Sequence, residues 1–280
     1  MTERTAMFRT IGHTFELMKM SWRVLMMDRE LILFPIMSGI ALLLLVAAML
    51  GVGGATGTLE RVGEGSSESL GAIDAILGAA FVFVSSAIVI FFNAALIAAA
   101  LERLRGGDPN IGSGLRAASA RLPQILAWAL ITVIVSMILQ ALRERGGIAG
   151  SIASMIGGVA WGLATFFVIP VLVSEGVGPI EAIKRSAGLL RQTWGNQVTA
   201  NFGFMIVGLL GVLVAIVPAA LLFFVHPLLG IAVGVPLVAV AIGTVQALEG
   251  IFKAALYDYA RGDQPHGFDR DTLASAYRAM

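Results

Sequence analysis

Asn93–Pro109 reads NAALIAAALERLRGGDP, and 156 residues later Glu249–Pro265 reads EGIFKAALYDYARGDQP. Laid over one another without a gap, the copies pair Ala98 with Ala254, Ala99 with Ala255, Glu102 with Asp258, Arg105 with Arg261, Gly106 with Gly262 and Pro109 with Pro265. In each, an apolar run delivers a carboxylate and, three residues on, an arginine, a spacing that sets both on one helix face. A glycine then supplies the turn that stops the helix. Glu102, Arg105, Asp258 and Arg261 are therefore candidate ion-pair partners at a membrane boundary. Glu175 belongs with them: VLVSEGVGP also leaves an apolar run, but Gly178 stands where the arginine would be. A carboxylate at a helix C-terminus opposes the helix dipole, so Glu175 is expected to pair with a basic residue from another segment.

Working outward, the composition makes lipid the main solvent. Of 280 residues, 58% are hydrophobic and 13% charged, where a soluble domain carries about 25% charged residues; mean hydropathy is +0.88. Apolar windows of about 20 residues match a hydrocarbon core of about 30 Å. Six are found, at Leu31–Gly53, Ile73–Leu101, Gln124–Leu142, Ile148–Val173, Thr199–Val225 and Leu228–Phe252. Lys and Arg number five, four, three and four in the segments on one side, against one and two on the other. The positive-inside rule then places both termini in the cytoplasm. The first window lacks a small-residue cleavage site and reads as a retained anchor. The loop GGATGTLERVGEGSSESLG is Gly/Ser-rich and acidic, and is expected to be mobile. With no cysteine and a net charge of +1, the chain offers no disulfide or thiolate chemistry and no global charge for nucleic acid.

A second repeat precedes the spans. A shift of 172 lays Phe8, Ile11, Phe15, Met18 and Trp22 on Ile180, Ile183, Ala187, Leu190 and Trp194. Each set keeps to a narrow stripe at 100° per residue, as in an amphipathic helix at the membrane surface. Leu115–Leu126 repeats the pattern with Leu115, Ala118, Leu122 and Ile125. Lys19, Arg23, Lys184, Arg185 and Arg191, with Trp22 and Trp194, are candidate contacts for anionic lipid headgroups. The expected architecture is all-α and polytopic: one membrane domain over 1–280, with six transmembrane helices as three hairpins, each preceded by a cytoplasmic-side interfacial helix. The units run 1–101, 111–173 and 179–256, with a cytoplasmic tail at 257–280.

RLRGGDPNIGSGLRAA, AWGLATFFVIPVLVSEGVGPIEAIKRS and LLRQTWGNQVTANFG, with WRVLMMDRELILFPIMSG ahead of the first span, resemble the signatures of a prokaryotic six-span integral membrane protein family of unknown function (domain of unknown function 6159). Asn196 stands where that family more often has an acidic residue after TWG. The resemblance implies the topology and a prokaryotic cytoplasmic membrane, and implies no activity.

No standard catalytic motif is present. His13, His226 and His266 are scattered over an interfacial helix, an outer turn and the tail, and no metal or cofactor set follows from them. An enzyme is not expected. Polar residues at membrane depth are costly and face a protein or water interior. Glu249 is the deepest ionisable one, with Gln246 and Lys253 on the same face, and Asn93 is its mate in the repeat. Pro170, Pro218 and Pro236 lie inside spans and each frees a carbonyl. The reading is a non-enzymatic membrane protein that binds, organises or transports lipid or another amphiphile. A small-solute or ion transporter using Glu249 and Asn93, and a structural subunit of a membrane complex, are the alternatives. The expected partners are the bilayer, anionic headgroups and further membrane subunits, either copies of itself or a complex, and not nucleic acid.

Overall fold

A computed structural model describes residues 18–63, 71–193, 216–218, 220–221, 223–224 and 226–268. Among the described residues the regular structure is helical and there is no strand. Helix α1 spans 18–27 and joins α2 (Leu33–Ala55) through a 3-10 turn at Arg29–Ile32. There follow α3 (Thr58–Gly63), α4 (Ala72–Leu104), α5 (Ile111–Ser119), α6 (Leu122–Arg145), α7 (Gly147–Ala164), α8 (Val168–Glu175), α9 (Pro179–Thr193) and α10 (Pro227–Ala260). Five stretches are long and apolar enough to cross a membrane: Arg29–Ala55, Ala72–Leu104, Leu122–Arg145, Gly147–Glu175 and Ala232–Ala260. The remaining expected span, Thr199–Val225, falls mostly outside the described residues, as do Phe8, Ile11, Phe15 and Trp194.

Two expectations are corrected. The fourth span is two helices, because α7 stops at Ala164 and α8 starts at Val168. Ser186 of α9 holds this break open by accepting the Phe167 N–H at 3.0 Å. Pro170 lies in the first turn of α8, where the missing N–H would have had no helical partner, so it starts a helix and does not kink one. Leu115–Leu126 is also two helices, with α5 ending at Ser119 and α6 starting at Leu122. Pro123 is the cause: continued helix would drive its ring into the carbonyl four residues back. On α1 and α9 the fully buried residues are not those of the apolar stripes. Trp22 is 46% exposed and Ile180 is also exposed, while Ser21, Val24 and Leu25 of α1 and Ala182 and Ser186 of α9 are buried. Helix α9 turns its small residues toward protein neighbours, and α1 turns Met20, Val24 and Leu25 together with Ser21.

Helix α4 is the centre, touching α2, α5, α6, α8 and α10. Apart from Asp74, its burial is confined to one end: Ala94, Ala95, Ala99, Ala100 and Leu104 are covered, and the matching part of α10 buries Ala247, Ile251, Ala254, Ala255 and Tyr257. Small residues let the backbones meet there. A Cβ at Gly250 would lie 2.6 Å from Leu96 Cδ2, and one at Gly114 would lie 2.8 Å from the Ala95 carbonyl oxygen. We call this packed end the base.

Both long helices finish in the same turn. Gly106 and Gly262 have φ of +84° and +90°. The Gly107 N–H reaches back to the Glu102 carbonyl at 2.9 Å, and the Asp263 N–H to the Asp258 carbonyl at 3.0 Å, closing a left-handed helix stop that glycine adopts without strain. The chain after α10 then folds onto α4: the His266 N–H donates to the Leu104 carbonyl at 2.8 Å, and Phe268 is buried.

Candidate functional site

Gln246, Glu249, Gly250 and Lys253 recur at the spacing that lines one face of α10. That face, with Asn93 and Phe92 of α4 and Ser38 of α2, encloses a cavity of about 220 Å³. All four residues singled out as an intramembrane polar site, Asn93, Gln246, Glu249 and Lys253, therefore line one space. The Glu249 carboxylate accepts from Lys253 Nζ at 2.7 Å, and 42% of the Glu249 side chain stays accessible. Lys253 Nζ also sits 5.5 Å from the centre of the Phe166 ring, a cation–π distance. Gly250 contributes no side chain, and that vacancy lets Leu96 approach and the cavity persist. Ser38 is the lining residue that sequence reading missed; a lone serine in an apolar span looks like a tolerated small residue.

At the base, the expected carboxylate and arginine pairs are exchanged between helices. Arg105 does not pair with Glu102, three residues before it; its Nη2 donates to Asp258 of α10 at 2.7 Å. Asp258 is 1% exposed, and its hydrogen bond is the main cause that raises the Arg105 pKa above the ordinary guanidinium value. Arg261 turns from Asp258 to the Tyr257 hydroxyl, donating at 3.1 Å, and to Glu175 at 3.7 Å. Glu175 accepts from the Tyr257 hydroxyl at 2.7 Å and from Arg185 of α9. Glu102 accepts from Ser113 at 2.8 Å, and so helps fix the Asn110 cap of α5. The reason is geometric: the left-handed turn carries Arg105 around the end of α4 toward Asp258 of α10, while Arg261 bridges the Tyr257 hydroxyl one turn back and Glu175 of α8.

Arg103, Asp28 and Tyr257 were not anticipated. Arg103 grips Asp28 at the foot of α1 and Asp108 in the following turn. Tyr257 occupies the place that Leu101 holds in the first copy, and that apolar-to-polar exchange was the available signal. Among the headgroup candidates, Lys19, Arg23, Lys184 and Arg191 are exposed on α1 and α9, while Arg185 is engaged by Glu175 and Glu181.

The opposite end holds a second arrangement. Within the loop expected to be mobile, Thr58–Gly63 forms α3, and Arg61 donates to Asp74 of α4 at 2.7 and 2.9 Å. Asp74 also accepts the Gly71 N–H at 2.8 Å. Beside this pair, Leu50, Leu59, Val62, Leu77 and Phe81 line an apolar crevice of about 580 Å³.

Among the described residues no three His, Asp or Glu side chains converge to hold a metal. A family of unknown function (DUF6159) matches residues 73–268. No curated protein and no solved structure matches the chain.

Proposed function

Because this chain belongs to the family of unknown function DUF6159, which carries no activity with it, we propose a function from its own residues: a non-enzymatic membrane protein that binds or moves an amphiphile, holding the polar head beside Asn93, Gln246, Glu249 and Lys253.

The observation that carries this reading is the depth of the cavity. Helices α4 and α10 have 33 and 34 residues, about 50 Å at 1.5 Å per residue, against a hydrocarbon thickness of about 30 Å. Some 20 Å of each must stand outside the acyl region. On α4 the apolar run Ile73–Phe92 fills the hydrocarbon, and Asn93 follows at once; on α10, Glu249 occupies the same level. A polar cavity at that level faces headgroups, with exposed apolar helix surface above it for tails. The base then stands in water on the cytoplasmic side, ringed by α1, α5 and α9 as interfacial helices. A sixth span through Thr199–Val225 completes three hairpins in three related units, and the identical stops of α4 and α10 support that symmetry. Exposed Lys19, Arg23, Lys184 and Arg191 suit anionic headgroups around the ring, at about 1 kcal/mol each.

The Glu249–Lys253 pair inside the cavity favours a second reading, a transporter of small solutes or ions through the same site. Native mass spectrometry of the gently extracted full chain separates the two. An amphiphile is expected on the wild type, and about tenfold less on Asn93→Leu, the change expected from losing one polar contact in a low-dielectric site. A wild-type protein free of any enriched amphiphile, showing proteoliposome flux of a solute that Glu249→Gln abolishes, would leave the transporter reading in its place.

A further inference from the structure

The cavity is electrically neutral in a particular way. It holds one carboxylate and one ammonium, Glu249 and Lys253, 2.7 Å apart on successive turns, and its other polar members, Asn93, Gln246 and Ser38, are uncharged. A ligand with a single charge can draw off only one member of the pair. The other then loses its partner, and the new attraction is offset by the pairing given up. A ligand carrying both charges avoids this, because each side chain exchanges its partner for one of opposite sign.

We propose that the site is built for a zwitterionic head with a primary ammonium and a phosphodiester, and that it selects such lipids from the bilayer. This inference rests on the amphiphile reading above. The ammonium of the head takes the place of Lys253 at Glu249, and the phosphate oxygens take the place of Glu249 at Lys253. The Phe166 ring, 5.5 Å from Lys253 Nζ, holds that ammonium in position while its carboxylate is re-engaged. The Asn93 and Gln246 amides, which both donate and accept, fill the remaining hydrogen-bonding positions. The volume of about 220 Å³ suits a compact head: at about 30 Å³ per water it corresponds to roughly seven waters. A quaternary ammonium is disfavoured, because it has no N–H for Glu249 and calls for an aromatic cage; among the described residues Phe92 is the one aromatic side chain of the lining.

The test is competitive native mass spectrometry on the full chain in nanodiscs holding equal amounts of phosphatidylethanolamine, phosphatidylcholine and phosphatidylglycerol of matched chains. Phosphatidylethanolamine is expected to be retained about tenfold over each of the others. Glu249→Gln should erase the preference over phosphatidylcholine, and Lys253→Met should weaken retention of every phosphate-bearing head. The wild-type ranking needs no variant, so the test survives a variant that does not fold. Free phosphoethanolamine is added in a second arm: failure to displace the lipid assigns the ligand to the bilayer, and displacement at lipid-like concentration overturns the lipid source. Lipid retained without preference among the three heads overturns this inference and leaves the amphiphile reading standing. No retained lipid of any kind overturns both.

Discussion

The two halves of α4 have similar composition and opposite surroundings. From Ala72 to Val89 the buried side chain is Asp74, whereas from Ile90 to Leu104 the helix is covered by its neighbours. Alanine occurs in both halves, and the upper one has glycine and serine besides, so small residues alone do not decide which half packs. The lower half differs in having polar fasteners at its end: Arg103 to Asp28, Arg105 to Asp258, and Glu102 to Ser113. With the base in water and the upper half in lipid, as proposed, apolar surface of the upper half gains nothing by leaving one hydrocarbon environment for another, whereas in water helices associate through burial of apolar surface and polar contacts. The base has both. Among the described residues the upper half has neither beyond Asp74 and Arg61, and as proposed it presents its side chains to lipid.

The sharpest way to break this contrast is to remove Arg105. Asp258 is 1% exposed, and Arg105→Ala strands a buried carboxylate, for which the expected loss is about 3–5 kcal/mol. Denaturation of the detergent-solubilised protein should show it as a large fall in midpoint. The double variant with Asp258→Asn removes the stranded charge and should recover much of the loss. If the double variant is as unstable as Arg105→Ala, the charge is not the fastener.

This region also marks the limit of what sequence reveals. The long helices, the stops at Gly106 and Gly262, and the polar face of Gln246, Glu249 and Lys253 follow from local rules: apolar length, glycine at a left-handed turn, and a spacing of three or four. The partners did not follow. Arg105 and Asp258 are 153 residues apart, and spacing on one helix pointed each of them to the wrong neighbour. The protein-facing residues of α1 and α9 did not follow either. A helical wheel ranks residues by apolarity, but a protein neighbour selected Ala182 and Ser186, which are small, and left Ile180 outside. Asn93 was legible through its repeat mate; Ser38 was not, since nothing local distinguishes it.

A smaller effect sharpens the same contrast at the break between α7 and α8. Ser186 Oγ satisfies the buried Phe167 N–H, and Ser186→Ala leaves that donor unpaired at a cost of about 1–3 kcal/mol. Hydrogen exchange at Phe167 is the direct readout, and it should quicken together with its neighbours at the start of α8. Ser186→Thr keeps the hydroxyl and should slow exchange again if the methyl is accommodated. Unchanged exchange in Ser186→Ala means that the break is held by packing alone, and the base then owes less to polar fasteners than its geometry implies.

The smallest expected effect is the most telling for the upper half. Leu44 on α2 is 67% exposed, and in water a leucine so placed would be an aggregation liability. In a bilayer Leu44→Ala exchanges one lipid contact for another, opens no cavity and breaks no hydrogen bond, so stability should move by less than about 0.5 kcal/mol. The measurement belongs in bicelles or nanodiscs, where the side chain meets acyl chains. A loss of about 2 kcal/mol or more, the size of a core truncation, means that Leu44 is covered by protein in the bilayer. The upper half would then have partners too, and what separates it from the base would be the identity of its neighbour instead of the lack of one.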